Sequence, residues 1–396
     1  MRTLALVLVA LAGALPLAAY LGYPLMLRML RARGRRIDPR LVPLVRYPFV
    51  TIVLVVRNAE HEIRRALLNL LSLAYPSGLR RILVVSNGST DFTDAVVRAM
   101  SHPDVTLIRM MRPKPAAYLE NAVRSHVRGD VVVVTDVHAR PKTWSLAALA
   151  AAFAEPSVGV AYGREVPGDA AEAAREAESP FRRYEAWLRE QETRVFGTVS
   201  ARGSWYAVRE DLYQTHVPPS QRRDFAMALR ARSCGLRSVW VPSAECVLDA
   251  HASSSAEFGR RVRVLSREIV TLLARPTLLN PLRYGVFAWM LLGHKLARWL
   301  MPWGLLGGVT GLAILAPTDF WALALLAGLL GAVATAAAVR LLPALERNPV
   351  LSAPARFVTA FAATALATLR ALYVTAGLMM VPPGEPVLVR GPSAAR

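Results

Sequence analysis

The chain has 396 residues, 54% of them hydrophobic, and a mean hydropathy of +0.32, which excludes an ordinary soluble protein and leaves room for one sizeable α/β domain plus several membrane spans. The formal net charge of +20 lies beside apolar runs and across the middle of the chain, with no basic stretch interleaved with aromatics, so no nucleic-acid partner is expected. Cys234 and Cys246 have neither metal-ligand spacing nor the density of a secreted disulfide scaffold, and they read as reduced structural thiols.

Residues 4–29 are apolar over the length a bilayer needs and are followed by Arg28, Arg31, Arg33, Arg35, Arg36 and Arg40. Basic flanks stay in the cytosol, so residues 1–30 read as an N-terminal transmembrane anchor and residues 31–47 as a basic juxtamembrane linker. A cleaved leader would carry its charge before the apolar run, whereas here the heavy charge lies after it.

From residue 48 to about 166 the chain repeats a β-branched apolar run, a polar break and a helix-length segment. The expected strands are 49–56, 81–85, 105–110, 131–135 and 158–162, and the expected helices are 60–73, 93–100, 116–127 and 146–154. Runs this continuously apolar belong to strands covered on both faces, and βα alternation predicts a mostly parallel sheet whose ligands sit beyond the carboxyl ends of the strands. Those ends carry Arg57, Asn58 and Glu60, then residues 86–91 with Asn87 and Asp91, then Lys114, then Asp136 and His138. Each alone also reads as loop chemistry, a turn at Asn87-Gly88 or a helix cap at Ser89 or Thr90; their joint placement favours a ligand site. Residues 170–194, with Phe181, Tyr184, Trp187 and Leu188 on one face, read as a core-facing amphipathic helix.

Residues 48–282 are the expected cytosolic domain, 283–302 an amphipathic interfacial helix, 303–381 two or three transmembrane helices and 382–396 a disordered tail.

In order and spacing these pieces resemble the family 2 glycosyltransferases, in the membrane-anchored, polysaccharide-synthase-like branch. The resemblance runs from about Phe49 to Pro302. It is carried by Arg57-Asn58-Ala59-Glu60, by the strand and turn through Ser86-Asn87-Gly88-Ser89-Thr90-Asp91, and by Lys114 with Ala116, Ala117, Leu119 and Asn121. Further on it includes Gly129-Asp130, Asp136-Val137-His138 where the family has Asp-x-Asp, Gly203 to Arg209, Asp224, and the later segments through Pro302. It implies a GT-A nucleotide-sugar-binding domain in a multi-pass inner-membrane protein. The implied reaction is inverting transfer of a sugar from a nucleoside-diphosphate donor to a glycan or lipid-linked acceptor at the cytosolic face, beside membrane lipids.

A diphosphate leaves well only when its developing charge is neutralised, and a divalent metal, manganese or magnesium, is the implied cofactor. Asp136 is the candidate ligand, with His138 beside it; imidazole suits manganese or a later transition metal better than magnesium. An Asp-His metal site, a weakened site and no site all stay open. The acceptor hydroxyl needs a base, and the resemblance implies Asp224, opening a helix behind Arg222 and Arg223, with Asp211 a second candidate. Two adjacent arginines are expected to keep Asp224 ionised. Asn58, Glu60, Asn87, Asp91, Lys114 and Asp136 are the expected donor-binding residues, and Arg260 and Arg263, with Arg261, either grip the diphosphate or face anionic lipid.

The departures matter too. Ser86 and Asn87 stand where the family commonly has paired aspartates, Ala59 replaces a glutamate, and the stretch from Arg260 to Val264 lacks the glutamine and tryptophan of processive synthases. A catalytically inactive membrane scaffold is therefore the competing expectation. A nucleotidyltransferase fits worse, because residues 57–63 hold no glycine for a triphosphate loop. The catalytic reading requires Asp136 and Asp224 to meet at one cleft.

Overall fold

The computed structural model describes residues 1–33, 46–168, 179–199, 203–249, 254–342, 349–377 and 388–389. Most of the basic linker, residues 170–178 of the expected amphipathic helix and most of the tail lie outside the described residues. The chain divides into two compact units, one of residues 30–251 and 380–396 and the other of residues 1–29 and 252–379.

The first unit is built on a nine-stranded sheet of order β5-β8-β6-β7-β4-β1-β2-β3-β9. Its strands are β1 Val50–Val56, β2 Arg80–Asn87, β3 Val105–Met110, β4 Val131–Asp136, β5 Ala139–Pro141, β6 Val158–Pro167, β7 Trp205–Arg209, β8 Arg237–Leu248 and β9 Leu388–Val389. All five expected strands are present. β3, β2, β1 and β4 run parallel. β7 enters antiparallel between β4 and β6, and β6 and β8 are again parallel, so the sheet is mixed. Of the tail expected to be disordered, Leu388–Val389 pairs with Arg109 and Met110 at the β3 edge.

Side chains alternate across β1, and both sets are buried. Val50, Ile52, Leu54 and Val56 join one core with the helices Ile63–Leu71 and Ser145–Ala151, while Val53 joins a second core with Leu119 and with Ala226, Met227 and Ala228. This double cover is why the strands are apolar at nearly every position. The described part of the expected amphipathic helix, Pro180–Val195, buries Leu188, Gln191, Glu192 and Thr193 but leaves Phe181 and Trp187 exposed, so its aromatic face is only partly turned inward.

In the second unit three described helices are long and apolar enough to cross a membrane: Arg2–Arg31, Phe320–Val339 and Pro354–Thr375. The helix Arg2–Leu17 packs on Ala297–Leu315 through small residues, with Gly308 against Ala12 and Gly311 against the Ala5 carbonyl. The segment expected to lie in the interface runs through a wide turn at Leu291–Leu296 directly into Ala297–Leu315. His294 and Lys295 are buried, because Lys295 pairs with Glu268 of the helix Ser254–Leu273. That helix belongs to this second unit and packs on Pro349–Thr375.

Arg80, at the start of β2, is buried and donates to the carbonyls of Leu70 (3.2 Å) and Leu73 (3.1 Å), which end the helix Ile63–Leu71. Arg80→Met keeps the apolar stem but strands both acceptors. Denaturant unfolding should show a loss of about 2 kcal/mol.

Candidate active site

Because β1 to β4 are parallel, the loops that follow them meet at one edge of the sheet, and their polar side chains bond one another. Asn58, held at φ 48°, donates its N–H to Ser89 Oγ (3.2 Å) and accepts from the Thr90 amide through Oδ1 (2.9 Å). The Ala59 amide donates to Thr93 Oγ1 (2.8 Å), the Glu60 amide to Asp91 Oδ2 (3.1 Å), and the Phe92 amide to Glu60 Oε2 (2.9 Å). Asp91 Oδ1 also accepts from the Thr93 hydroxyl (2.6 Å) and amide (3.1 Å). Desolvation pushes the Asp91 carboxyl up, but the hydrogen bonds from Thr93 and the Glu60 amide outweigh it and hold the group below its ordinary value.

Asn87, at the end of β2, clamps the loop after β3. Its Oδ1 accepts from the Lys114 amide (2.7 Å) and its Nδ2 donates to the Lys114 carbonyl (3.0 Å). Both ends of the amide are thus bound to backbone. Lys114 holds its ammonium 5.5 Å from the Tyr118 ring centroid.

Asp136 ends β4, and its Oδ1 accepts from the His138 amide at 2.9 Å. In the β4–β7 ladder Thr135 lies opposite Trp205, so Asp136 and His138 follow directly beside the residues that lead into β7, Gly203 and Ser204. Glu165 of β6 reaches the same place and accepts from the Ser204 amide at 3.1 Å. Glu165 pairs with Cys246 in the β6–β8 ladder, and the buried Cys246 thiol is raised by desolvation and then by the Glu165 and Asp136 charges. Among the described residues no group of three His, Cys, Asp or Glu side chains is arranged to hold a metal. Asp136 and His138 are joined here through the His138 backbone amide.

Asp224 sits in the first turn of the helix Arg223–Ser233 and is 5% exposed. Arg222 grips it at both oxygens, Nε at 2.7 Å from Oδ1 and Nη2 at 2.6 Å from Oδ2, and the Phe225 amide donates to Oδ1 at 2.8 Å. A Cβ on Gly203 would stand 2.5 Å from Asp224 Oδ2, so only glycine lets the entry to β7 lie against this carboxylate. Through Gly203, Asp224 reaches the same edge of the sheet as Asp136.

The expectation of two arginines on Asp224 is corrected, since of the two adjacent arginines Arg222 contacts it and Arg223 does not among the described contacts. Arg223 turns inward, with Nε 3.1 Å from Glu120 Oε2, Nη1 2.6 Å from Asn121 Oδ1, and its guanidinium 4.3 Å from the Tyr213 ring centroid. Consecutive side chains on a helix diverge by about 100°, so neighbours in sequence address different surroundings. Asp211 is corrected as well. It follows the carboxyl end of β7, where Arg209 pairs with Val131 at the start of β4, and so lies at the opposite edge from Asp136; its Oδ1 accepts from the Leu212 amide at 2.8 Å. Arg260, Arg261 and Arg263 are exposed on the helix Ser254–Leu273 of the second unit.

Glu120 and Glu165 went unnoticed in the sequence. Glu120 is buried and pushed up to about 7, by desolvation above all, with Arg223 opposing and Asp224 adding to the rise. The one signal for it is the buried arginine it faces, which is distant in sequence.

Residues 51–211 match the model of glycosyl transferase family 2. Two curated relatives are both beta-monoglucosyldiacylglycerol synthases. The one from Synechocystis is 29% identical over 39% of this chain and 33% of its own length, and the one from Nostoc is 25% identical over 41% and 36%. The chain thus spans about a third of the length of these relatives. Among solved structures, the mannosyltransferase PcManGT from Pyrobaculum calidifontis, in complex with GDP-Man and Mn2+, superimposes with a TM-score of 0.70 at 24% identity over 93% of this chain and 99% of its own. Residues 51–211 are thus similar to glycosyl transferase family 2, and the fold is that of a GT-A glycosyltransferase.

Asn87→Ala removes both bonds to the Lys114 backbone. Unfolding should lose about 1–2 kcal/mol, and the Lys114 amide should exchange its hydrogen faster than in the wild type.

Proposed function

We propose that this domain transfers a sugar from a nucleoside-diphosphate donor to an acceptor hydroxyl with inversion, and that Asp224 is the base. The observation that carries the reading is the contact of Gly203 with Asp224, which brings the carboxylate to the sheet edge where Asp136 ends β4 and His138 follows. The loops after β1, β2 and β3, held by Asn58, Glu60, Asn87, Asp91 and Lys114, form the floor for the nucleotide at that edge. Asp136 and His138 would hold a divalent cation together with the diphosphate, and that cation supplies neutralisation of the charge that develops as the diphosphate leaves. Asp224 takes the proton of the acceptor hydroxyl as its oxygen bonds to the anomeric carbon and the bond from that carbon to the diphosphate oxygen breaks. One displacement from the face opposite the leaving group inverts the centre. Arg222, bound to both oxygens of Asp224, fixes the orientation of the carboxylate.

The acceptor in this reading is a lipid or a lipid-linked glycan at the cytosolic membrane face. The apolar helices and the diacylglycerol products in the names of the two relatives support it. Arg260 and Arg263, exposed on the helix Ser254–Leu273, are assigned to anionic headgroups.

Asp224→Asn should lower turnover by about 100- to 10,000-fold while the Kd of the nucleoside diphosphate stays the same. Wild-type turnover in that variant would remove Asp224 from the chemistry. Manganese should raise the thermal midpoint of the nucleotide-bound protein, and Asp136→Asn should erase that increment but not the effect of nucleotide alone. No shift with any nucleotide would favour a scaffold that has lost donor chemistry.

A further inference from the structure

The helix Ser254–Leu273 of the second unit carries Arg260, Arg263 and Arg267 at a spacing of three and then four residues, which puts them on one side of the helix. All three are exposed there, while Val262, Ser266 and Ile269 on the opposite side are buried. Glu268, the residue after Arg267, is buried and paired with Lys295.

This helix packs on Pro349–Thr375, of which Pro354–Thr375 is a candidate span, and Arg370 stands exposed in the last turns of that span. Residues 349–375 contain no acidic side chain. Among the described residues no carboxylate forms an ion pair with Arg263, Arg267 or Arg370. The three arginines also act on one another: the Arg267 guanidinium is held below the ordinary arginine range by desolvation first, and then by the charges of Arg370 and Arg263.

Like charges carried by two packed helices oppose that packing unless an anion is drawn in among them. At the end of a span the anion at hand is a lipid phosphate, because an arginine there keeps its stem in hydrocarbon and extends its head toward the phosphate layer. Guanidinium groups bind phosphate oxygens through paired hydrogen bonds. We propose that Arg263, Arg267 and Arg370 form a site for the phosphate of an anionic membrane lipid, built by two helices of the second unit. This deepens the assignment of Arg263 to headgroups, on which it rests, and is independent of the role of Asp224. A diffuse basic surface would treat every exposed arginine alike. A site distinguishes them, and Arg261, equally exposed, lies about 100° around the helix from Arg260 and outside the stripe.

The test follows the thermal midpoint of the full-length protein in neutral detergent during titration with phosphatidylglycerol, phosphatidylcholine or inorganic diphosphate. The wild type is compared with Arg267→Gln, Arg370→Gln and Arg261→Gln, each of which removes one exposed charge. Phosphatidylglycerol is expected to raise the wild-type midpoint at lower concentration than phosphatidylcholine, whose headgroup has no net charge. Arg267→Gln and Arg370→Gln should each raise the half-saturating concentration of phosphatidylglycerol about tenfold, and Arg261→Gln less than about twofold. Equal weakening in all three variants would mean that headgroups are held by overall charge; it overturns the site and leaves the broader assignment of Arg263 standing. A wild-type response retained in both Arg267→Gln and Arg370→Gln, or no response to phosphatidylglycerol in the wild type, overturns the proposal outright. A rise with diphosphate alone, lost in Arg267→Gln, would assign these arginines to a soluble ligand and equally overturn the lipid site. Each glutamine relieves repulsion, so neither variant is expected to lower the midpoint without lipid, and if one fails to fold the other decides.

Discussion

The close approach of the β7 entry to Asp224 is the constraint on which the catalytic geometry depends. Gly203 has no side chain, so backbone can lie against the carboxylate at a distance that any Cβ would block. The antiparallel register of β7 on β4 then fixes how far Gly203 stands from Asp136. Two carboxylates separated by a long stretch of chain are brought to one edge by a strand pairing and a glycine. Arg222 completes the arrangement by holding both oxygens of Asp224, so the orientation of the carboxylate is fixed by the protein itself.

The parallel half of the sheet serves the other side of the same edge. Its loops are cross-bonded through Asn58, Glu60, Asn87 and Asp91, which spend much of their hydrogen-bonding capacity on one another. A floor stiffened in this way presents backbone and the remaining polar atoms in a fixed pattern. Asn87 in particular binds the Lys114 backbone at both ends of its amide, a use that its place in the strand-end motif did not disclose.

Much of this was legible in the sequence. The first strands announce themselves because both faces are buried, so apolar residues run without interruption from Ile52 to Val56 and from Val131 to Val134. β8 was missed because its buried valines are interleaved with Arg237, Ser238, Ser243 and Glu245, and β5 because three residues carry no period. β7 was recognised as a motif but not as a strand. The inward turn of Arg223 and the burial of Glu120 were illegible for a different reason: each is defined by its partner, and nothing local distinguishes an arginine that grips Asp224 from one that faces away. The pairing of Lys295, in the segment read as interfacial, is hidden in the same way, since it finds Glu268 only once the two helices pack.

The central claim is that donor and base occupy the two sides of a single cleft at the ends of β4 and the start of β7. The most direct measurement is an experimental structure of the full-length protein soaked with a nucleoside diphosphate and Mn2+. The account predicts a metal peak beside Asp136 and His138, diphosphate density bridging it, and the Asp224 carboxylate across open space from the terminal phosphate. A nucleotide bound away from Asp136, or packed side chains filling the space between the two carboxylates, would contradict it.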